Sequence, residues 1–361
     1  MSKSKATLIF LGVFLTSLLV QGHVWSTSDY VDNKLWVPAV AQLATSTLPT
    51  PDQPTYGYPA TTLLLPGSML VRQGIAPRPA TTTTIVVLLS LFIALAALVA
   101  YLLRPQSPWW LAVAAIMVLS RVYPDATPPS ALATASIPLI CLLVLYAYQH
   151  RKESLPFIAL GLVGGVSLAT RIDITTLVLG FGLLFLCLRS FKKTVLSGVI
   201  ALATFCAVDP YMYTHPIAHV LAIYAKIHSF SNSGPIGWPF KRLIKTFPLA
   251  FLTFVLGIVL LGAHKLVRPL RSYLIWVITI TVVIFGILLS SFAHPDWYFF
   301  PLLMTWQILS PVLLFVLIEG DHSDKKLFGL LPTSAVPLLF TLCFIVGQFV
   351  VYLHPAYQVT N

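Results

Sequence analysis

The chain reads as a succession of long apolar runs separated by short polar connections, and within the runs apolar and polar positions do not alternate. An α-helix needs about 20 apolar residues to cross a bilayer, whereas a membrane β-strand alternates over about 10. The pattern therefore predicts helices at Ala6 to Gln21 and at 83–103, 107–121, 129–148, 155–170, 173–189, 194–209, 246–264, 272–292, 299–318 and 328–352. The expected fold is an all-α polytopic membrane protein of about 11 spans. Residues 1–361 form one integral-membrane domain in this reading, with no soluble carboxyl-terminal domain. The first run follows Lys3 and Lys5, as a signal peptide would, but no small residue stands three before a cleavage point near Val20-Gln21-Gly22, so the helix is expected to be retained.

Between the first two runs lies a stretch too polar to span, Gly22 to Ala80, with three aspartates and eight prolines. Long loops in compact proteins are functional or disordered. Leu35-Trp36-Val37 and Thr61-Thr62-Leu63-Leu64-Leu65 supply apolar anchors, so the loop 22–82 is expected to carry short helices lying along the membrane surface.

Composition sharpens the class. Hydrophobic residues make up 57% and charged residues 9%, with mean hydropathy +0.87, whereas soluble domains run at about 45–50% apolar and about 25% charged. The net charge of +11 comes from 22 Lys and Arg dispersed between apolar runs, which argues against a nucleic-acid partner. With the amino terminus inside, 13 of these cations fall in inside loops, including the short connections at Arg151-Lys152, Arg189 to Lys193, Lys265 to Arg271 and Lys325-Lys326. That is the positive-inside arrangement. The other 9 are outside and ask for an anionic partner, a lipid headgroup or a phosphate. Cys141, Cys187, Cys206 and Cys343 lie in apolar runs without CxxC spacing, which reads as packing.

Seven carboxylates, Asp29, Asp32, Asp52, Asp125, Asp173, Asp209 and Asp296, fall outside, and four fall inside beside Lys or Arg. Asp29 and Asp32 follow the first span, where a carboxylate can serve as general base toward a hydroxyl acceptor; Asp32 also suits the N-cap of a helix starting at Asn33. Arg121 and Asp125 flank a proline-fixed turn, as acceptor or phosphate ligands or, for Asp125, as a helix cap. In GLVGGVSLATRID, Gly161, Gly164 and Gly165 allow close helix approach. Arg171 then emerges either as a phosphate ligand or as a cation paired with Asp173 or snorkelling outward. The stretch after Asp209 adds His215, His219, Lys226, His228, Lys241, Arg242 and Lys245, and His294 to Pro301 joins His294, Asp296 and Tyr298 to an aromatic belt. His215 and His219 have i, i+4 spacing but no third ligand, so no metal site is assigned. No internal repeat or pair of broken helices suggests a transporter.

In their order these pieces resemble the polyprenyl-phosphate-sugar-dependent GT-C glycosyltransferases, in the branch of the protein O-mannosyltransferases and the lipid A aminoarabinose transferase. Asp29 matches the family's acidic residue after the first span. Tyr58-Pro59 followed by Pro66-Gly67 is similar to its "YP-PG" stretch, Asp125 to its second acidic position, Gly164 to Arg171 to its "GLA-LTK" segment, and Tyr298 to Pro301 to its "YxLP". Arg171 stands where lysine is commoner, Asp-Tyr replaces an adjacent acidic pair, and His294 replaces a frequent lysine. The resemblance implies an inverting transferase that moves a sugar from a polyprenyl-phosphate donor to a protein, lipid or glycan acceptor hydroxyl at the outer face of a cell membrane. It assigns catalysis to Asp29 and Asp125, and donor phosphate to Arg171, His215, Lys226, His294 and Tyr298. Asp32, Tyr58 and Arg121 fall to the acceptor and loop, with no required cofactor and a divalent metal optional. The rival expectation is a flippase or transporter of lipid-linked sugars that binds the same headgroup without chemistry.

Overall fold

A computed structural model describes residues 3–27, 33–45, 61–105, 109–119, 128–209, 217, 221, 248–262, 268–291 and 299–319. Among the described residues every regular element is a helix: α1 Lys3–Thr27, α2 Asn33–Ala44, α3 Thr61–Arg72, α4 Pro77–Leu103, α5 Trp109–Val118, α6 Pro128–Gln149, α7 Leu155–Thr170, α8 Ile172–Cys187, α9 Phe191–Val208, α10 Pro248–Gly262, α11 Arg268–Ser291 and α12 Phe300–Glu319. Four stretches are long and apolar enough to cross a membrane: Ser4–Ser26, Pro77–Leu103, Ser130–Gln149 and Ile174–Val208, the last comprising α8 and α9. Shorter apolar helices accompany them, so the chain is a membrane-embedded helical protein. The span expected at 328–352 lies outside the described residues.

Large apolar side chains sit on outer helix faces as well as inside. On α1, Leu8, Leu11, Leu15 and Leu19 form an exposed stripe at helical spacing, and on α9 Phe191, Val195, Val199 and Leu202 form another. Such continuous apolar surface suits lipid rather than water. The central element is α6, nearly all of which is buried; it packs against α4, α7, α8, α11 and α12.

The first helix runs six residues past the expected Gln21, to Thr27. Gln21 does not end it, because its Nε2 donates to the Val118 carbonyl at 2.9 Å and so satisfies that carbonyl at the end of α5. Likewise α4 begins at Pro77, not near 83. The threonine run that looked like loop is helical because the Thr81 and Thr84 hydroxyls donate to the Pro77 and Ala80 carbonyls, at 2.8 and 2.9 Å. The connection between α1 and α4 is therefore shorter than 22–82, and it contains α2 and α3 where the two apolar anchors predicted helices.

The turn from α3 to α4 is a Schellman motif. Gly74, at φ 91°, donates its N–H to Val71 O (2.9 Å), and Ile75 donates to Leu70 O (3.1 Å). Pro77 then opens α4, where a missing N–H costs nothing. Elsewhere aromatic N–H and O–H groups tie helices to each other. Trp109 Nε1 donates to Ile308 O at 2.8 Å, Tyr273 Oη to Cys141 O at 3.1 Å, Trp276 Nε1 to Phe181 O at 3.1 Å and Trp306 Nε1 to Thr281 Oγ1 at 3.0 Å. Cys141, Cys187 and Cys206 are free thiols within the helices, as packing residues should be; Cys343 lies outside the described residues.

Candidate functional site

The bundle has two chemically distinct ends. At one, Lys5 lies over the Tyr101 ring (5.8 Å), Lys193 Nζ donates to Arg151 O (3.0 Å), and His150 pairs with Glu153 (3.0 Å). Arg104, Lys152, Arg189 and Lys192 belong to the same helix ends, so the connections at Arg151-Lys152 and Arg189 to Lys193 gather there. The other end brings together the last turn of α1, the end of α5, the start of α6, the break between α7 and α8, and the end of α9. Helices α2 and α3 belong to this second end, and α3 packs against both α7 and α9.

Arg171 is the one residue between α7 and α8. Its backbone is extended (φ −154°, ψ 99°), and its N–H closes the last turn of α7 on Ser167 O at 2.9 Å. The side chain retains only 7% exposure, and Nη1 donates to the hydroxyl of Ser130, itself buried in the first turn of α6. The arginine thus does not snorkel outward; it turns into the bundle. Its expected ion pair with Asp173 depends on a side chain outside the described residues.

Below the arginine, Ser167 joins three helices. Its Oγ lies 2.7 Å from Ser136 Oγ on α6 and 3.2 Å from Thr175 Oγ1 on α8. Nearby, Thr134 Oγ1 donates to Ser130 O at 2.7 Å. All of these hydroxyl groups are buried. Hydroxyls that satisfy one another inside an apolar bundle hold helix positions firmly, since no water competes for them. A guanidinium has five N–H donors in one plane, a geometry suited to oxygen anions.

Asp209 follows α9 and is fully buried; its N–H closes the helix on Phe205 O at 3.0 Å. Among the expected site residues only Arg171 falls within the description. Asp29, Asp32, Tyr58, Arg121, Asp125, His215, Lys226, His294 and Tyr298 all lie outside the described residues. The residues before α2 and α6 are accordingly known here by sequence position alone. Of the "YP-PG" stretch, Pro66 and Gly67 lie in α3, where a Cβ on Gly67 would meet Val40 of α2 at 3.2 Å and Thr84 of α4 at 3.5 Å. Gly67 therefore lets α3 lie close against α2 and α4.

Arg72, another of the nine cations read as outward, also has structural partners. Arg72 donates from Nε to Ala44 O (3.1 Å) and from Nη2 to Leu43 O (3.2 Å), which neutralises the carbonyl end of α2. Sequence reasoning missed Ser130 as the arginine's partner, and missed the burial of Asp209. The available signal was the recurrence of Ser197, Ala201, Phe205 and Asp209 at every fourth position. No protein-family profile matches the chain, and no curated protein matches it.

Proposed function

We propose that this protein is a membrane glycosyltransferase of the GT-C type, taking its sugar from a polyprenyl-phosphate donor. The observation that carries this is Arg171, a buried guanidinium at a helix break inside an apolar bundle, with Ser130 among its partners. An ionisable residue so placed marks a site for a charged ligand, and a planar fork of donors favours a phosphate. The crowding of short cationic connections at the opposite end supports an orientation with that end and the amino terminus inside, and Arg171 facing outward at a cell membrane.

In this mechanism the bond between the anomeric carbon and the carrier phosphate oxygen breaks as the acceptor oxygen bonds to that carbon from the opposite face. Asp29, assisted by Asp125, takes the acceptor's proton, and the carrier departs as a phosphomonoester. Arg171 neutralises the charge that grows on the leaving phosphate. The phosphate-facing cations and polar groups His215, Lys226, His294 and Tyr298 complete the donor site, while Asp32, Tyr58 and Arg121 shape the acceptor side. No cofactor is called on.

The test is transfer of radiolabelled sugar from a polyprenyl-phosphate donor by the purified protein in nanodiscs. Asp29→Asn should abolish transfer at unchanged protein abundance, and Arg171→Ala should weaken donor binding more than acceptor binding. A fully active Asp29→Asn protein, or equal loss of both substrates in Arg171→Ala, overturns the assignment. Headgroup translocation across vesicles without transfer would establish the flippase instead.

A further inference from the structure

The inner face of α9 repeats every fourth residue as Ser197, Ala201, Phe205 and Asp209, all of them buried. Its first members meet the glycines of α7. A Cβ on Gly161 would lie 2.7 Å from Ser197 O, and one on Gly165 would lie 2.5 Å from Ala201 O and 2.9 Å from Phe205 N. One turn forward on α7 thus corresponds to one turn forward on α9, so the two helices run in the same direction at a constant offset. Small residues on both faces, Gly161 and Gly165 against Ser197 and Ala201, allow this approach.

That register sets the height of the two charged groups. Arg171 lies six residues beyond Gly165, and Asp209 eight beyond Ala201. At about 1.5 Å of rise per residue they stand within about 3 Å of one level. Asp209 continues the stripe that faces α7, at whose end Arg171 turns inward. Both residues have interactions beyond those given above. A fully buried carboxylate within a membrane bundle needs a compensating cation, and Arg171 is the buried guanidinium that the register places at its level.

We infer that Asp209 is the resident counter-anion of Arg171, an internal carboxylate that occupies the guanidinium when the site is empty and that an incoming lipid phosphate displaces. This rests on Arg171 being the donor-phosphate ligand. Carboxylate and phosphate then compete for the same planar donors, while Ser130 keeps the arginine in place during the exchange. The competition also serves product release. A phosphomonoester carries more charge than the diester it came from and would otherwise cling to a bare arginine.

The consequence is a pair of effects with opposite sign. Removing the carboxylate's charge weakens the fold and strengthens phosphate binding. The experiment uses the full-length protein in detergent micelles, with farnesyl phosphate as probe, and compares Asp209→Asn, Arg171→Gln, the double variant and the exchange Arg171→Asp with Asp209→Arg. Each single substitution should lower the Tm by several degrees, and the double variant should lose less than the sum, because it leaves no lone buried charge. The exchange variant should melt above either single one, which keeps the pair testable if Asp209→Asn folds poorly. Farnesyl phosphate should bind Asp209→Asn about tenfold more tightly than the parent, a change of about 1.4 kcal/mol, and should not bind Arg171→Gln or the double variant. Additive losses of Tm overturn the ion pair. Non-additive losses with unchanged or weaker farnesyl phosphate binding in Asp209→Asn overturn the displacement. Absence of binding by the parent and every variant overturns the phosphate reading beneath it, while non-additive melting would still establish the pair.

Discussion

Gly165 of α7 and Ala201 of α9 meet so closely that a Cβ on the glycine would lie 2.5 Å from the Ala201 carbonyl oxygen. Backbone, not a flexible side chain, blocks that space. Gly165→Ala must therefore push the two helices apart, at a cost of about 1–3 kcal/mol. Gly12→Ala on α1, where nothing lies within 4 Å, is the matched control and should cost nothing. Thermal unfolding of the two variants in the same detergent checks this; equal melting would refute the close contact.

Ser167 is the shared partner of Ser136 and Thr175, so Ser167→Ala should cost more than removal of one hydroxyl at the edge of the cluster. We expect about 1–3 kcal/mol, the penalty for stranding buried polar groups. Thr253→Ala, whose buried hydroxyl donates to Leu249 O of its own helix at 2.6 Å, should cost less. Melting temperatures that rank the other way would show that the three-helix junction does not hold the bundle together.

Much of the fold was legible because apolar length is a strong signal. The helices 155–170, 173–189 and 194–209 differ from α7, α8 and α9 by no more than a few residues at their ends. The anchors around Trp36 and Leu65 do lie in helices, and Gly161, Gly164 and Gly165 do sit at tight contacts. What misled was local polarity whose partner is remote or within the backbone. Gln21 and the run Thr81 to Thr84 look like loop until their hydrogen bonds are known. The inward turn of Arg171 was equally hidden, since a cation at a span end ordinarily reaches outward. For Asp209 the four-residue recurrence with Ser197, Ala201 and Phe205 was a partial signal, but which face of α9 turns inward follows from its parallel register with α7, which no single segment encodes.

Trp109 fastens α5 to α12 through Ile308 O. Trp109→Phe keeps the aromatic body but strands that carbonyl bond, and should lower stability by about 1 kcal/mol. Trp109→Ala removes the packing as well and should cost about 3–5 kcal/mol. A phenylalanine variant as damaging as alanine would assign the role of Trp109 to its N–H, and one as stable as the parent would assign it to shape.

The exposed leucine stripe of α1 predicts contact with lipid. Leu15→Ala should leave the protein folded, whereas Leu15→Lys places a charge near the middle of the span and should raise its insertion cost by about 3 kcal/mol. A glycosylation-tagged insertion assay reads the difference; indifference to lysine would mean that this face is not in the bilayer.

Orientation can be read by chemistry. On a background with all four cysteines replaced, single cysteines at Lys152 and Arg78 mark opposite ends of the bundle, and both parent residues are exposed. A membrane-impermeant maleimide added to intact cells should label position 78 and not position 152. The reverse pattern would turn the protein over and place Arg171 inside.

The burial of α6 also bears on how the molecule is made. A helix ringed by α4, α7, α8, α11 and α12 has almost no surface left for lipid in the finished protein, yet four of its ring, α7, α8, α11 and α12, follow it in the chain. Until Ser167 of α7 and Arg171 after it arrive, Ser136 and Ser130 must face lipid or an insertion factor without those partners. Enclosure of α6 is therefore a late event in biogenesis, and the nascent chain is most exposed to quality control between the emergence of α6 and the docking of α12.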